Sequence, residues 1–304
     1  MRDQAQGLRE LAARARAHPR HGGGPPSTPP GEVSATVRVL ALAGGRSGVG
    51  RTTLVASLAA ALAGRGRAVT VIDADVGRKS LELLFPWAPS RNLGDLLRGE
   101  ARPEDVVGEA SPGVQLISGA SVLRGVAALS RGERERLLGC AASLTEGRDI
   151  VLVDAGHGVG GGVADLCRAA AEVVLVTDAD PASITGAYGL LKVLWGREPR
   201  PQARLVVNGV RTAEQGSSVH TRIDRVAARF LGRRVPCLGH VARDDHVARA
   251  DGSRTPFVLA YPGCPASRCV EALASALLQT VPGTVDQGFW HRLLGGGDGG
   301  GVKG

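Results

Sequence analysis

The chain has 304 residues, 43% of them hydrophobic and only 3% aromatic, so it can bury an aliphatic core in one large domain with appendages or in two small domains. Its formal net charge is +8, carried almost wholly by arginine, since Lys79, Lys192 and Lys303 are the only lysines. These properties exclude a membrane-spanning helix, because no apolar run reaches 18 residues, and a disulfide scaffold, because Cys140, Cys167, Cys237, Cys264 and Cys269 are odd in number and form no CxxC pair.

Taken in order, the chain first offers a short amphipathic helix over residues 3–17, with Asp3 as N-cap and Ala5, Leu8, Leu11, Ala12 and Ala15 on one face. A segment this short is marginal alone in water and becomes firm only when docked. Residues 18–34 contain Gly22-Gly23-Gly24-Pro25-Pro26 and Pro29-Pro30-Gly31 and read as a flexible linker. From Ala35 the pattern alternates. Strands are predicted at 36–42, 68–72, 114–118, 149–153, 172–177, 204–208 and 235–239; helices at 52–64, 132–145, 161–170, 182–195, 218–231 and 266–280. Aliphatic runs such as Ile150-Val151-Leu152-Val153 mark strands covered on both faces, so the expected fold class is α/β, a doubly wound, mainly parallel sheet over residues 35–281. Residues 282–304 form the last segment. Within it Phe289, Trp290, Leu293 and Leu294 line one side beside Arg292, the look of a short interfacial anchor, and a glycine-rich tail follows. The N-terminus carries no apolar signal peptide. The reduced cysteines point to a cytoplasmic protein.

The candidate chemistry is concentrated at Gly45-Arg46-Ser47-Gly48-Val49-Gly50-Arg51-Thr52-Thr53, between an apolar strand and an alanine-rich helix. Glycines there let backbone N–H groups face an anion, and the helix N-terminus adds its dipole, so the stretch reads as a phosphate-binding loop. Thr52 stands where a Mg²⁺ ligand is expected, but Arg51 replaces the lysine of the P-loop pattern. Asp73 and Asp75 end the second strand and Asp154 ends the Ile150–Val153 strand. Both ends should lie beside the loop and offer carboxylates to a metal ion or a water molecule.

These motifs resemble the deviant Walker A loop, the Walker A′ D-x-D and the Walker B aspartate of the MinD/ParA ATPases. The resemblance implies ATP and Mg²⁺ as ligands. It implies Asp75 as the residue that positions water, Asp154 as a metal ligand, and Arg46 in place of the signature lysine. Asn208, in Val206-Val207-Asn208, matches the family residue that reads the adenine edge, and Asp244 falls in the later rim segment Gly239-His240-Val241-Ala242-Arg243-Asp244. Asp3-Gln4-Ala5 followed by Leu8-Arg9, then a linker, resembles the D-Q-A-x-x-L-R helix of the FlhG (FleN/YlxH) subfamily of flagellar-number regulators. Thr177–Tyr188, Asn92–Glu100 and Pro256–Pro262 resemble their counterparts there.

That subfamily implies a homodimer closed on ATP, an N-terminal helix that stimulates the SRP-type GTPase FlhF, contacts with flagellar C-ring proteins or a flagellar transcription regulator, and a peripheral position on the cytoplasmic membrane surface. With arginine for both lysines, slow ATP turnover is expected. Two rival readings are a hydrolysis-impaired scaffold and a ParA-type partition ATPase using DNA non-specifically. The arginine-rich stretch 192–254 permits the second, but reads better as a solvated face, so DNA is not an expected partner.

Overall fold

The computed structural model describes residues 37–75, 81–123, 125–170, 172–280 and 288–295. In chain order the elements are β1 (Arg38–Gly44), α1 (Arg51–Ala63), β2 (Val69–Asp73), α2 (Leu93–Arg98), β3 (Val107–Ser111), β4 (Val114–Ser118), α3 (Ala120–Leu123), α4 (Arg131–Thr145), β5 (Ile150–His157) and α5 (Gly161–Ala170). There follow β6 (Glu172–Thr177), α6 (Pro181–Trp195), β7 (Gln202–Val210), α7 (Ala213–Leu231), β8 (Cys237–Ala242), α8 (Asp245–Asp251), α9 (Phe257–Ala260), α10 (Pro265–Gln279) and α11 (Phe289–Gly295).

One eight-stranded sheet runs in the order β3-β4-β2-β5-β1-β6-β7-β8. All pairs are parallel except β3 with β4. The alternation of side chains along each strand divides the core in two. Val39, Ala41 and Ala43 of β1, with Val151, Val153 and Ala155 of β5, pack against α4, α5, α6, α7 and α11. Leu40 and Leu42, with Ile150 and Leu152, pack on the other face against α1 and α10. Burial on both faces is the reason these strands are aliphatic at every position rather than alternating with polar residues.

Strand β4 falls where a strand is predicted, at 114–118; its antiparallel neighbour β3, the short helices α2, α3, α8 and α9, and the first turn of α7 lie outside the predicted elements, and β8 lies slightly later than the predicted strand 235–239. Helix α2 is set by a capping box: Asn92 Oδ1 accepts from Gly94 N and Asp95 N, and Asp95 Oδ2 accepts from Asn92 N.

The expectation for the C-terminal apolar cluster is corrected. Phe289, Trp290, Leu293 and Leu294 are all buried and belong to the core on the α5 face. Arg292 is tied down too, its Nε and Nη2 donating to the Ala169 carbonyl at 2.8 and 2.6 Å. With few aromatic residues in the chain, these two supply bulk that fills the groove between α4 and α5. Their apolar side therefore faces the domain, not a lipid surface. Asp3, Gln4, Ala5, Leu8 and Arg9, the linker and the glycine-rich tail lie outside the described residues.

Candidate nucleotide site

The site is assembled at the C-terminal ends of β2, β5 and β1, three neighbouring strands at the centre of the sheet. Their register puts Asp154 opposite Leu42 on one side and opposite Asp73 on the other. A carboxylate on β5 therefore lies directly between the start of the glycine loop and the end of β2. Crevices at strand C-termini where the order changes direction are where ligands bind in such sheets.

Glycine is required at two points of the loop. A Cβ at Gly45 would meet the backbone of Gly186 in α6 at 2.0 Å, so only hydrogen lets the loop pass the helix. Gly50 sits at φ +77°, in the left-handed region, and a Cβ there would meet Asn208 Nδ2 at 2.3 Å. Gly50 is the N-cap of α1 and makes no side-chain cap, which leaves backbone N–H groups of the first turn for an anion. Arg46, Ser47 and Gly48 are exposed, whereas Val49, Arg51, Thr52 and Thr53 are buried.

Arg51 determines the electrostatics. Its Nε donates to Asp154 Oδ1, its Nη2 lies 2.5 Å from Asp75 Oδ2, and the same Nη2 is 3.3 Å from Thr52 Oγ1. One guanidinium thus holds two buried carboxylates, and Asp154 Oδ2 is buried without a hydrogen-bond partner. Burial opposes charge on Arg51, but Asp154 and Asp75 outweigh it and raise its pKa further. Burial pushes the Asp154 carboxyl above the usual carboxylate range, against the pull of Arg51 and Thr52.

The neighbouring residues support this centre. Asp73 accepts from Asp75 N at 3.1 Å through Oδ1 and from Leu81 N at 3.0 Å through Oδ2, so it fixes these two residues relative to the end of β2. Asn208 donates from Nδ2 to the Val49 carbonyl at 2.8 Å and braces the glycine loop. Arg46 reaches Asp180 Oδ1 at 3.0 Å, and both side chains are about half exposed. The sequence reading had not singled out Asp180 as a partner. Its signal was the Asp-Pro pair, Asp180 capping α6 by accepting from Ala182 N at 2.8 Å and Pro181 opening the helix.

Asp244 has its hydrogen bonds with residues other than those around Arg51. It caps α8 through His246 N and reaches Ala266 N at the start of α10. Ligand atoms of Asp244, His246 and Cys264 lie within 4.8 Å of one another. Capping explains all three, since Cys264 Sγ accepts from Ser267 N at the head of α10. A cavity of about 440 Å³ under α11, lined in part by Arg134, Arg168, Arg197 and Arg292, includes no residue of the glycine loop and none of Asp73, Asp75 and Asp154.

This arrangement, a glycine loop at a helix N-terminus with buried carboxylates on the two adjoining strands, is matched in known proteins. Residues 40–257 match the family described as the CobQ/CobB/MinD/ParA nucleotide binding domain. The chain belongs to this MinD/ParA family of nucleotide-binding domains, in its FlhG (FleN/YlxH) branch. It is 32% identical over 238 residues to the antiactivator FleN of Pseudomonas aeruginosa, covering 78% of this chain and 85% of FleN. It is 32% identical over 271 residues to the flagellum site-determining protein YlxH of Helicobacter pylori, covering 84% of this chain and 90% of YlxH. The fold is similar to that of the septum site-determining protein MinD of Pyrococcus horikoshii complexed with Mg-ADP, with a TM-score of 0.64 at 21% identity, covering 83% and 99% of the two chains. Among the described residues no helix is long and apolar enough to cross a membrane.

Proposed function

We propose that the chain is a MinD-like ATPase that takes part in setting flagellar number or placement. The observation that carries this reading is the convergence of the glycine loop, Arg51, Thr52, Asp75 and Asp154 at one point of the sheet. Loop amides and the α1 N-terminus would bind the phosphates of ATP. The donor set of a threonine hydroxyl and two carboxylates is the hard oxygen chemistry Mg²⁺ prefers, and the unpartnered Asp154 Oδ2 has acceptor capacity to spare. When bound, Mg²⁺ neutralises charge on the transferring phosphoryl group. Asp75 would accept a hydrogen bond from the attacking water and orient it. Asn208 would hold the loop while presenting its remaining oxygen to the base. Arg46, exposed at the mouth, would leave Asp180 to reach phosphates across a homodimer closed on ATP.

The 32% identities to FleN and YlxH support the flagellar reading. To it we add an N-terminal helix, Asp3 to Arg9, that stimulates the SRP-type GTPase FlhF. Peripheral association with the cytoplasmic face of the membrane is part of the reading, but the apolar side of α11 is not available for it in this conformation. The substitution of arginine for both loop lysines favours slow turnover, and its limiting case is a scaffold that holds nucleotide without hydrolysing it.

Single-turnover hydrolysis of ATP, with and without lipid vesicles, separates these. The expected result is slow, Mg²⁺-dependent release of phosphate that Asp75→Ala abolishes while ATP binding persists. Binding without any turnover would establish the scaffold; absence of nucleotide binding would refute the ATPase.

A further inference from the structure

The oxygen cage formed by Thr52, Asp75 and Asp154 already contains a cation, and it is part of the chain. The Arg51 guanidinium touches all three groups and is itself buried. These are the donors that the proposed function assigns to a metal ion. A planar fork can bridge two separate carboxylates, which a compact lysine ammonium cannot do as well, so this arrangement is particular to arginine at position 51.

The guanidinium does not saturate the cage: Asp154 Oδ2 is left without a hydrogen-bond partner. A divalent ion would draw on the same oxygen cage. The two cannot share it, because a guanidinium and a metal ion a few ångströms apart repel strongly in a buried site. The metal ion therefore enters only when Arg51 has another anion to go to, and the phosphates of a nucleotide on the adjoining loop are such an anion.

We propose that Arg51 and a divalent cation are mutually exclusive occupants of the Thr52–Asp75–Asp154 cage: without nucleotide the arginine keeps the metal out, and bound phosphates exchange the one for the other. This rests on the nucleotide reading for its second half only.

The test is Mn²⁺ binding to the full chain without nucleotide, followed by the electron paramagnetic resonance signal of free Mn²⁺, with thermal unfolding alongside. The wild type is expected to bind no Mn²⁺ at the cage and to unfold at the same temperature with or without it. Arg51→Gln should bind one Mn²⁺ at least about tenfold more tightly and be stabilised by it, since removing a unit charge at this range changes the binding free energy by more than a factor of ten requires. Adding Asp154→Asn to that variant should abolish the gain. Should Arg51→Gln not fold, Arg51→Lys carries the test with a smaller gain in the same direction. Equal Mn²⁺ affinity in wild type and variant, or no gain in the variant, overturns the proposal. ATP binding is measured separately by equilibrium dialysis. A chain that shows the Mn²⁺ contrast but takes no ATP keeps the exclusion and loses the nucleotide reading; one that takes ATP without the contrast keeps the nucleotide reading and loses the exclusion.

Discussion

Arg38 and Arg51 are both buried arginines beside carboxylates, one at the N-terminal edge of the sheet and the other at the C-terminal edge, and they are satisfied very differently. Arg38 forms a bidentate pair with Glu172, Nε to Oε1 at 2.9 Å and Nη2 to Oε2 at 2.7 Å. Its Nη1 donates to the Leu277 carbonyl, and Arg204 approaches Glu172 at 3.8 Å. Both Glu172 oxygens are used. Arg51 instead divides its guanidinium between Asp75 and Asp154 and leaves a buried carboxylate oxygen unpartnered. The lower edge is built as a closed structural pair that ties β1 and β6 to α10. The upper edge keeps a buried acceptor, Asp154 Oδ2, in reserve, an arrangement that gives up stability and makes sense where a further cation is to bind. Buried charge is not by itself a sign of function; incomplete satisfaction is the distinguishing feature.

The largest loss is expected at the lower edge. Glu172→Ala strands a buried guanidinium and should cost about 3–5 kcal/mol in urea unfolding. Trp290→Ala should cost about 3 kcal/mol, because the indole fills a packed groove beside α5; an effect near zero would return α11 to the role of a peripheral anchor. Asn208→Ala should cost about 1 kcal/mol through the lost bond to Val49 and weaken ATP binding in a dialysis experiment, which Glu172 variants that still fold should not do. The smallest effect is at Asp244. Burial opposes its ionisation, but hydrogen bonds from His246 N, Ala266 N and the His246 ring outweigh this and hold the carboxyl below the usual range. A pKa lowered on folding contributes stability above about pH 4 that is lost as pH falls through the folded value. Asp244→Asn should cost about 1 kcal/mol at pH 7 and flatten the stability curve on the acid side.

Much of this was legible in the amino-acid order. The aliphatic runs Ile150–Val153 and Val173–Val176 announced strands buried on both faces, and the glycine loop with Asp75 and Asp154 announced the site, because strand ends and helix starts are local signals. What was not legible depends on contacts between distant segments. Strand β3, Val107-Gly108-Glu109-Ala110-Ser111, is short and mixed in character and owes its existence to antiparallel pairing with β4. The pattern Phe289-Trp290-His291-Arg292-Leu293-Leu294 is amphipathic whether its apolar side meets lipid or α5, and only the tertiary structure distinguishes them. Sequence flagged Arg51 as a departure from the loop pattern, but not that its side chain would reach Asp75, just past β2, and Asp154 of β5. The partner of Arg46 depended likewise on where α6 begins.

The contrast between the two edges is tested most directly by the unfolding free energy of Asp75→Asn in the absence of nucleotide and metal, measured in urea beside Glu172→Gln. Asp75→Asn relieves the repulsion between two neighbouring buried carboxylates and leaves Arg51 its pair with Asp154, so it should lose no stability and gain up to about 1 kcal/mol, whereas Glu172→Gln should lose about 3 kcal/mol. An equal loss in both variants would contradict the account, for it would make the Arg51 cluster a structural ion pair like that of Arg38.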